Sequence, residues 1–287
     1  MDQDSLESTL ADLYLPAIRF YRCIDSTNDE ALKWIIAGAQ DKALVVADEQ
    51  TAGRGRFHRR WVTVPDAALA FSLIILPPQI DQKQNSRLSG LGAVSIREVL
   101  YKKYALPAQI KWPNDILIGQ KKVGGVLVDV IWNGETLRGV VIGIGINIAP
   151  ESVSAVNLPS TELNFPATCV ENELGHSIDR LELLYAILQE LLAWLPRLSL
   201  PDFIIAWESN LAFRGQWVEI SRGDSTSHAQ NGNSFTPSEV RKVIGLSQDG
   251  SLCVSTKSGE LVEVAVGEIH LRLSMMDQPL SPRLKRR

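Results

Sequence analysis

From residue 109 to residue 148 the chain reads as four strands in immediate succession, 109–112, 115–118, 123–132 and 137–148, the last three rich in Val, Ile and Leu. Gly119-Gln120-Lys121 separates the second from the third, and Asn133-Gly134 separates the third from the fourth. An Asn-Gly step between two apolar runs supplies the positive φ angles of a tight hairpin turn, so the last two runs must fold back on each other. The centre of the chain is therefore committed to a hairpin-built sheet, and the remaining segments have to arrange themselves around it.

Upstream, residues 1–18 read as a short acidic lead and 19–24 as a strand. Ser26-Thr27-Asn28-Asp29 offers a helix cap and an acidic first turn to the apolar run 31–36, and Gly38 suits the exit. Strands follow at 43–48 and 68–76, the latter stopped by Pro77-Pro78, and a helix at 86–104 presents Leu88, Leu91, Ile96, Val99 and Leu100. Residues 150–177, rich in Pro, Asn, Ser and Thr, read as irregular. Leucines 181, 184, 188, 191, 192 and 195 recur at helical spacing across 178–195, and a shorter helix covers 202–210. Short β-type runs at 216–221, 239–246, 252–256, 261–266 and 269–273, separated by turns such as Asp249-Gly250 and Ser258-Gly259, predict a small barrel. The pattern thus predicts two domains, 1–209 and 210–287, with a polar flexible loop at 224–237 and a frayed basic tail. Trp34, Trp132, Trp194 and Trp207 lie in apolar runs and are expected in the core.

Lys and Arg total 29 against 33 acidic residues, a net charge of −4, which argues against a general nucleic-acid binder and for a small partner. Cys23, Cys169 and Cys253 are widely separated, without the paired spacing of a disulfide framework or a zinc site. The four histidines show no metal-site spacing. No apolar run reaches the ~18 residues of a membrane span and no signal peptide is visible, so a reducing cytoplasm is expected.

Three clusters carry chemistry. Between Gln50 and Trp61 the chain reads QTAGRGRFHRRW, where arginines crowd a glycine-studded loop. Such a loop can turn backbone N–H groups inward while guanidinium forks take carboxylate or phosphate. Lys111-Trp112-Pro113-Asn114-Asp115 sets a lysine, an amide and a carboxylate around a proline that interrupts sheet pairing, with Lys121-Lys122 and Gly124-Gly125 close behind. In 140–148, Gly143, Gly145 and Asn147 fall on one strand face, stripping it of bulk; this Gly-x-Gly lacks the third glycine and the following helix of a dinucleotide fingerprint. His58 stands in the arginine loop and is expected to be exposed and without function.

Together, Ser26-Thr27-Asn28, the Gln50–Arg56 motif with Trp61, Lys111–Asp115, Lys122–Gly125 and Gly143–Asn147 resemble, in order, the biotin protein ligases. The resemblance extends more weakly to the C-terminal β-rich segment, which is similar to that family's SH3-like domain. It implies an α+β architecture: a class II aminoacyl-tRNA-synthetase-like catalytic domain of the biotin–lipoate ligase type, with a mixed sheet and helices, followed by an SH3-like β-barrel. It implies a reaction in which biotin and MgATP give biotinyl-5′-AMP and pyrophosphate, and a lysine of a biotin carboxyl carrier domain then takes the biotinyl group. Joining a carboxylate to an α-phosphate brings two anions together, so charge neutralisation and positioning should dominate catalysis.

By that resemblance Arg54, Arg56 and Lys122 are the catalytic cations. Ser26, Thr27, Asn28, Gln50, Gly53, Gly125, Gly143 and Gly145 join them around biotin. Arg56, Arg59, Trp61, Lys111, Asn114, Lys122 and Asn147 face ATP or the adenylate. Asp115 holds Mg²⁺ or orients Lys122. Lipoate or octanoate transferases are the nearest alternative, and a single-strand nucleic-acid platform a more remote one. Only 25 residues precede Ser26, too few for the winged helix of the repressor members, so no DNA binding is expected; the family's sheet-edge pairing leaves a homodimer open. Ala52, Gly53 and Gly55 leave the arginine loop mobile when empty, and a hydrolysable anhydride needs a cover. Biotin plus ATP should therefore suppress protease cleavage between Arg54 and Arg60; an unchanged digestion pattern would contradict loop ordering.

Overall fold

In a computed structural model, the structure describes residues 1–56, 59–77, 85–154, 166–222, 239–264 and 269–273. Phe57 and His58, the whole of the 224–237 insertion and the basic tail lie outside them. Two compact units are formed, Met1–Ala212 with Gln248–Gly250, and Phe213–Ser247 with Ser251–Arg287.

The larger unit is built on a seven-stranded sheet. Its strands are β1 (Ile18–Ile24), β2 (Leu44–Gln50), β3 (Ala68–Ile75), β4 (Ala108–Lys111), β5 (Asp115–Ile118), β6 (Lys121–Asn133) and β7 (Thr136–Asn147), in the spatial order β1-β2-β3-β7-β6-β5-β4. Only β1 and β2 run parallel, connected through the helix α2 (Thr27–Ile36); every other pair is antiparallel. The β6–β7 hairpin is the longest ladder, with Gly134 at φ 61° in its turn as the Asn-Gly signal requires. All eight residues of β3 are buried, the pattern of a strand covered on both faces.

The helices divide between those faces. On one, α2 sets Ala31 and Ile35 against Val45, Ile74 and Val141. On the other, α3 (Asn85–Tyr104) passes so close that a Cβ at Gly92 would stand 2.9 Å from the Val126 methyls. The five apolar positions expected of α3 are all buried. Behind it lies α6 (Arg180–Trp194), capped by Asp179, whose carboxylate accepts from the Leu181 and Glu182 amides. Its buried face is Leu183, Leu184, Ile187, Leu188 and Leu191; of the expected positions Leu184, Leu188, Leu191 and Leu195 are buried, while Leu181 and Leu192 are half-buried at its margin. Then α7 (Pro201–Ser209), with proline in its first turn, brings the fully buried Trp207 against Gly90.

Three local expectations change. The acidic lead is a helix, α1 (Gln3–Thr9), closed by a reciprocal Asp2/Ser5 capping box and seated by Leu6 and Leu10, both buried. Residues 150–177 contain two short helices, α4 (Glu151–Ser154) and α5 (Val170–Leu174), too brief to leave a periodic signal. Trp132 is 41% exposed at the hairpin end and so is not core, whereas Trp207 is. The smaller unit is an antiparallel sheet of β8 (Trp217–Arg222), β9 (Glu239–Leu246), β10 (Leu252–Ser255), β11 (Leu261–Val264) and β12 (Ile269–Leu273), ordered β11-β10-β9-β8-β12.

The Gly90–Trp207 contact gives a stability test. Alanine at position 90 would gain helix propensity of up to about 1 kcal/mol, but its methyl falls inside the contact distance of an indole that has nowhere to move. Overpacking of this kind costs roughly 1–3 kcal/mol. Gly90→Ala should lower the urea midpoint with an unchanged slope.

Candidate active site

The site lies on the α2 face of the sheet, where the β6–β7 register removes side chains. Gly125 pairs with Gly145 and Leu127 with Gly143, leaving a bare strip across two strands. The N-terminus of α2 settles onto it: a Cβ at Gly143 would collide with the Asn28 amide. At Gly145 it would collide with the Trp61 indole. These glycines are therefore seats for two neighbouring side chains, and the wall expected beside the ligand is partly made by Asn28 and Trp61 themselves.

Above the strip is a buried chain of polar groups. Ser26 caps α2, its Oγ accepting from the Asp29 amide at 3.4 Å. Gln50 Oε1 accepts from the Thr27 amide at 2.9 Å and hydroxyl at 3.1 Å, while Gln50 Nε2 donates to Thr63 Oγ1 at 2.9 Å. From β3, Ser72 Oγ reaches Asn28 Oδ1 at 2.6 Å and Thr27 Oγ1 at 2.8 Å. Ser72 has one proton, and the acceptor-only amide oxygen is its natural recipient, leaving a Thr27 hydrogen for Gln50 or Ser72. Ser26, Thr27, Asn28, Gln50, Thr63 and Ser72 are all buried. Ser72 and Thr63 were not foreseen, although a serine inside the apolar run ALAFSLII was a readable signal.

Beside this chain the charges converge. The Trp112–Pro113 peptide bond is cis, and the turn it belongs to brings Lys111 and Asp115 together across the β4–β5 pair. Lys122 Nζ stands 2.5 Å from Asp115 Oδ1, and Lys111 Nζ 3.4 Å from Oδ2. Burial alone would raise the Asp115 carboxyl, but Lys122 and then Lys111 outweigh it and hold it down at about 2. Burial pushes Lys111 below the ordinary lysine range, with Asp115 opposing the shift. Burial also lowers Arg56, again against Asp115; Arg59 acts on both Arg56 and Lys111. Lys122, Lys111 and Arg56 thus act on one carboxylate and Arg59 acts on two of these cations, a concentration of positive charge suited to anions. Gly125 makes room here, since a Cβ would stand 3.3 Å from Lys122 Nζ and 3.4 Å from Asp115 Oδ1.

The arginine loop folds as a narrow hairpin, with Arg54 bridged to Arg60 and the Trp61 amide donating to the Gly53 carbonyl at 2.8 Å. Gly53 has no space for a side chain because the Trp61 carbonyl and the Gln50 amide press on it. Arg56 donates to Asn114 Oδ1 at 3.2 Å, and the Asn114 amide donates to the Val126 carbonyl at 2.6 Å. Trp61 places its ring 5.7 Å from Lys122 Nζ, and its Nε1 is buried without a hydrogen-bond partner among the described residues.

Three expected residues are engaged differently from their anticipated roles. Arg54 turns its guanidinium to Asp29 and Asp129, not to a vacant anion pocket. Asn147 donates its amide to the Thr168 carbonyl at 3.1 Å, and Thr168 in turn pairs with the Lys122 backbone, so this asparagine braces the strand that carries Lys122. Asp115 presents both oxygens to ammonium groups, with Arg56 and Arg59 nearby. A divalent cation there would meet positive charge on every side, so the residue fits the orienting role and not that of a magnesium ligand. Among the described residues no group of three or more His, Cys, Asp and Glu could hold a metal ion.

A hydrogen-bonding recess beside a cation cluster is chemically suited to a neutral polar group next to anions. Residues 20–147 match the Biotin/lipoate A/B protein ligase family. The chain is 34% identical over 209 residues to the biotin--[acetyl-CoA-carboxylase] ligase of Paracoccus denitrificans, an alignment covering 71% of this chain and 85% of that protein. To the bifunctional ligase/repressor BirA of Bacillus spizizenii it is 38% identical over 165 residues, 58% of this chain and 49% of that one, so it spans about half of that relative. In three dimensions it is similar to the biotin protein ligase from Aquifex aeolicus in complex with biotin and ATP, at TM-score 0.72 and 27% identity, covering 90% of this chain and 100% of that one. The chain belongs to the Biotin/lipoate A/B protein ligase family, and its relatives within it are biotin ligases.

The Asp115 environment sets a pH dependence. With its pKa lowered from 3.8 to about 2, ionised Asp115 contributes stability that is complete above pH ~4 and lost as pH falls through ~2, about 2 kcal/mol by linkage. Asp115→Asn should therefore cost at least about 2 kcal/mol at pH 7, and urea unfolding of the two proteins should converge between pH 4 and pH 2.

Proposed function

We propose that this chain activates biotin with ATP to biotinyl-5′-AMP and then transfers the biotinyl group to a lysine of a biotin carboxyl carrier domain. The convergence of Lys122 and Lys111 on Asp115, with Arg56 held beside them by Asn114, next to a buried amide-and-hydroxyl recess carries this reading. In the first step a biotin carboxylate oxygen attacks the α-phosphorus of ATP and pyrophosphate leaves. In the second, the carrier amine attacks the anhydride carbonyl, loses a proton and expels AMP.

Each group then has a task set by its chemistry. Ser26, Thr27, Asn28 and Gln50 meet the ureido head, where buried polar groups left unpaired by a wrong acid would penalise it. Lys122, aimed by Asp115, bridges the carboxylate and the α-phosphate; a compact ammonium can follow an oxyanion whose position changes between the two steps. Arg56, oriented by Asn114, neutralises the phosphate, and Lys111 and Arg59 add to the field. Trp61 offers an indole face and an unpaired N–H to the adenylate side. Magnesium enters on the ATP phosphates, which need few protein oxygens. Among the described residues no helix is long and apolar enough to cross a membrane; a cytoplasmic setting, where carboxylase carrier domains are met, completes the reading.

Purified protein given labelled biotin, ATP and a carrier domain should label that domain, and lipoate in place of biotin should not support turnover. Lys122→Ala should lower transfer by about 10²–10³-fold, the usual cost of removing one preorganised group at a developing charge. Lipoate-dependent labelling, or none with either acid, would overturn the assignment.

A further inference from the structure

We infer that Asp129 and Asp29 are positioning residues of this reaction: they jointly hold the Arg54 guanidinium and thereby fix the Gly53–Arg56 backbone beside the biotin recess. The inference rests on the function proposed above. Arg54 Nη2 lies 2.6 Å from Asp29 Oδ1 and 2.8 Å from Asp129 Oδ2, so one nitrogen serves two carboxylates from different elements. A guanidinium held this way already faces more negative charge than it carries. It is a tether, and the substrate anions are met by Arg56, Lys111 and Lys122.

The tether's anchor belongs to the site. Asp129 is in register with Val141 on β6, two residues beyond Leu127 and four beyond Gly125, and so lies on the same strand face as the bare glycine strip. Its Oδ2 also accepts from Asn28 Nδ2 at 2.9 Å, and Asn28 is bonded in turn to the Leu127 carbonyl and to Ser72. One carboxylate therefore ties β6, the N-terminus of α2 and the arginine loop. Asp29 sits in the first turn of α2, where the helix end favours negative charge without Arg54. The tethered stretch is pinned on its other side by Gln50, whose amide packs against Gly53 while its oxygen holds Thr27. A loosened Arg54 would thus be felt first in biotin binding and in retention of the intermediate, not in the chemistry at phosphorus.

The side chains of Arg54 and Asp29 are about two-fifths exposed and Asp129 about one-fifth, a setting in which ion pairs are individually weak, so the effects should be moderate. Asp29→Asn and Asp129→Asn should each raise the KM for biotin about three- to tenfold and speed escape of biotinyl-5′-AMP into solution by a similar factor, with kcat for biotin-dependent ATP–pyrophosphate exchange within about twofold of wild type. Arg54→Ala should match the double Asp29→Asn/Asp129→Asn variant, and adding it to that double variant should change nothing further. Asp129→Glu should recover part of the loss, and without any substrate both Asp129→Asn and Arg54→Ala should accelerate tryptic cleavage after Arg56. Asp29→Asn, at an exposed site that leaves the Ser26 cap intact, keeps the test valid should Asp129 variants fold poorly. A fall in kcat at unchanged KM, additive effects of Arg54 and the aspartates, or wild-type behaviour of both aspartate variants would overturn the inference. Absence of biotin-dependent pyrophosphate exchange in the wild type would instead defeat the functional reading, while the cleavage measurement would still judge the tether.

Discussion

The antiparallel register of β6 on β7 is the constraint from which the site follows. By setting Gly125 opposite Gly145 and Gly143 opposite Leu127, it clears a strip of sheet on which the start of α2 and the Trp61 indole can lie directly. A shift of one residue would move the glycines to the α3 face and bring Val126 and Ile144 up against Asn28 and Trp61. The recess and the seat of the arginine loop presuppose that one alignment, while the β5–β6 pairing on the other side of β6 sets Lys122 beside Asp115. The Gly134 turn and the long apolar ladder on both sides of it hold the register in place.

Two kinds of polar organisation meet on this strip. The recess is lined by amides and hydroxyls held by bonds to one another and, at Asn28, to Asp129, so they are in place before anything binds, which limits the reorganisation that a ligand must drive. The neighbouring cluster is charged and unbalanced, with cations crowding one carboxylate. Asp115 makes that crowding tolerable: it keeps Lys122 aimed while burial and mutual repulsion disfavour the charge on Lys111 and Arg56. An incoming pair of anions relieves this repulsion, so the site is arranged for the moment when carboxylate and phosphate are side by side.

Much of the architecture could be read without coordinates. The strands from 109 to 148, the cap at Ser26, helix α3 and the short strands of the C-terminal unit are local events, decided by turn residues, caps and side-chain periodicity. Legibility ended where the local pattern was brief or ambiguous. Helix α1 contains one apolar residue, Leu6, and α6 carries leucines over a broad arc, so only packing selects Leu183 and Ile187 over Leu181 and Leu192. In the site, motif order brought Lys111, Asp115, Lys122 and the Ser26–Asn28 triplet into one list, and the fold brought them to one face of one sheet.

The residues that complete the site are those whose partners are remote in the chain. Asp129 is one acidic residue inside an apolar run, and nothing within that run reveals that Arg54 and Asn28 converge on it. Ser72 stands out as a serine in an apolar run, but its partner Asn28 is not evident until β3 lies beneath α2. The sequence by itself determined the longer strands and helices, the hairpin turn and the chemical inventory, because these depend on neighbours a few residues away. Only the tertiary structure decided which cation faces a substrate and which is tied to the protein's own carboxylates. Charges act through space, and the distance from Arg54 to Asp129 is set by how β6, α2 and the arginine loop pack, not by the residues between them.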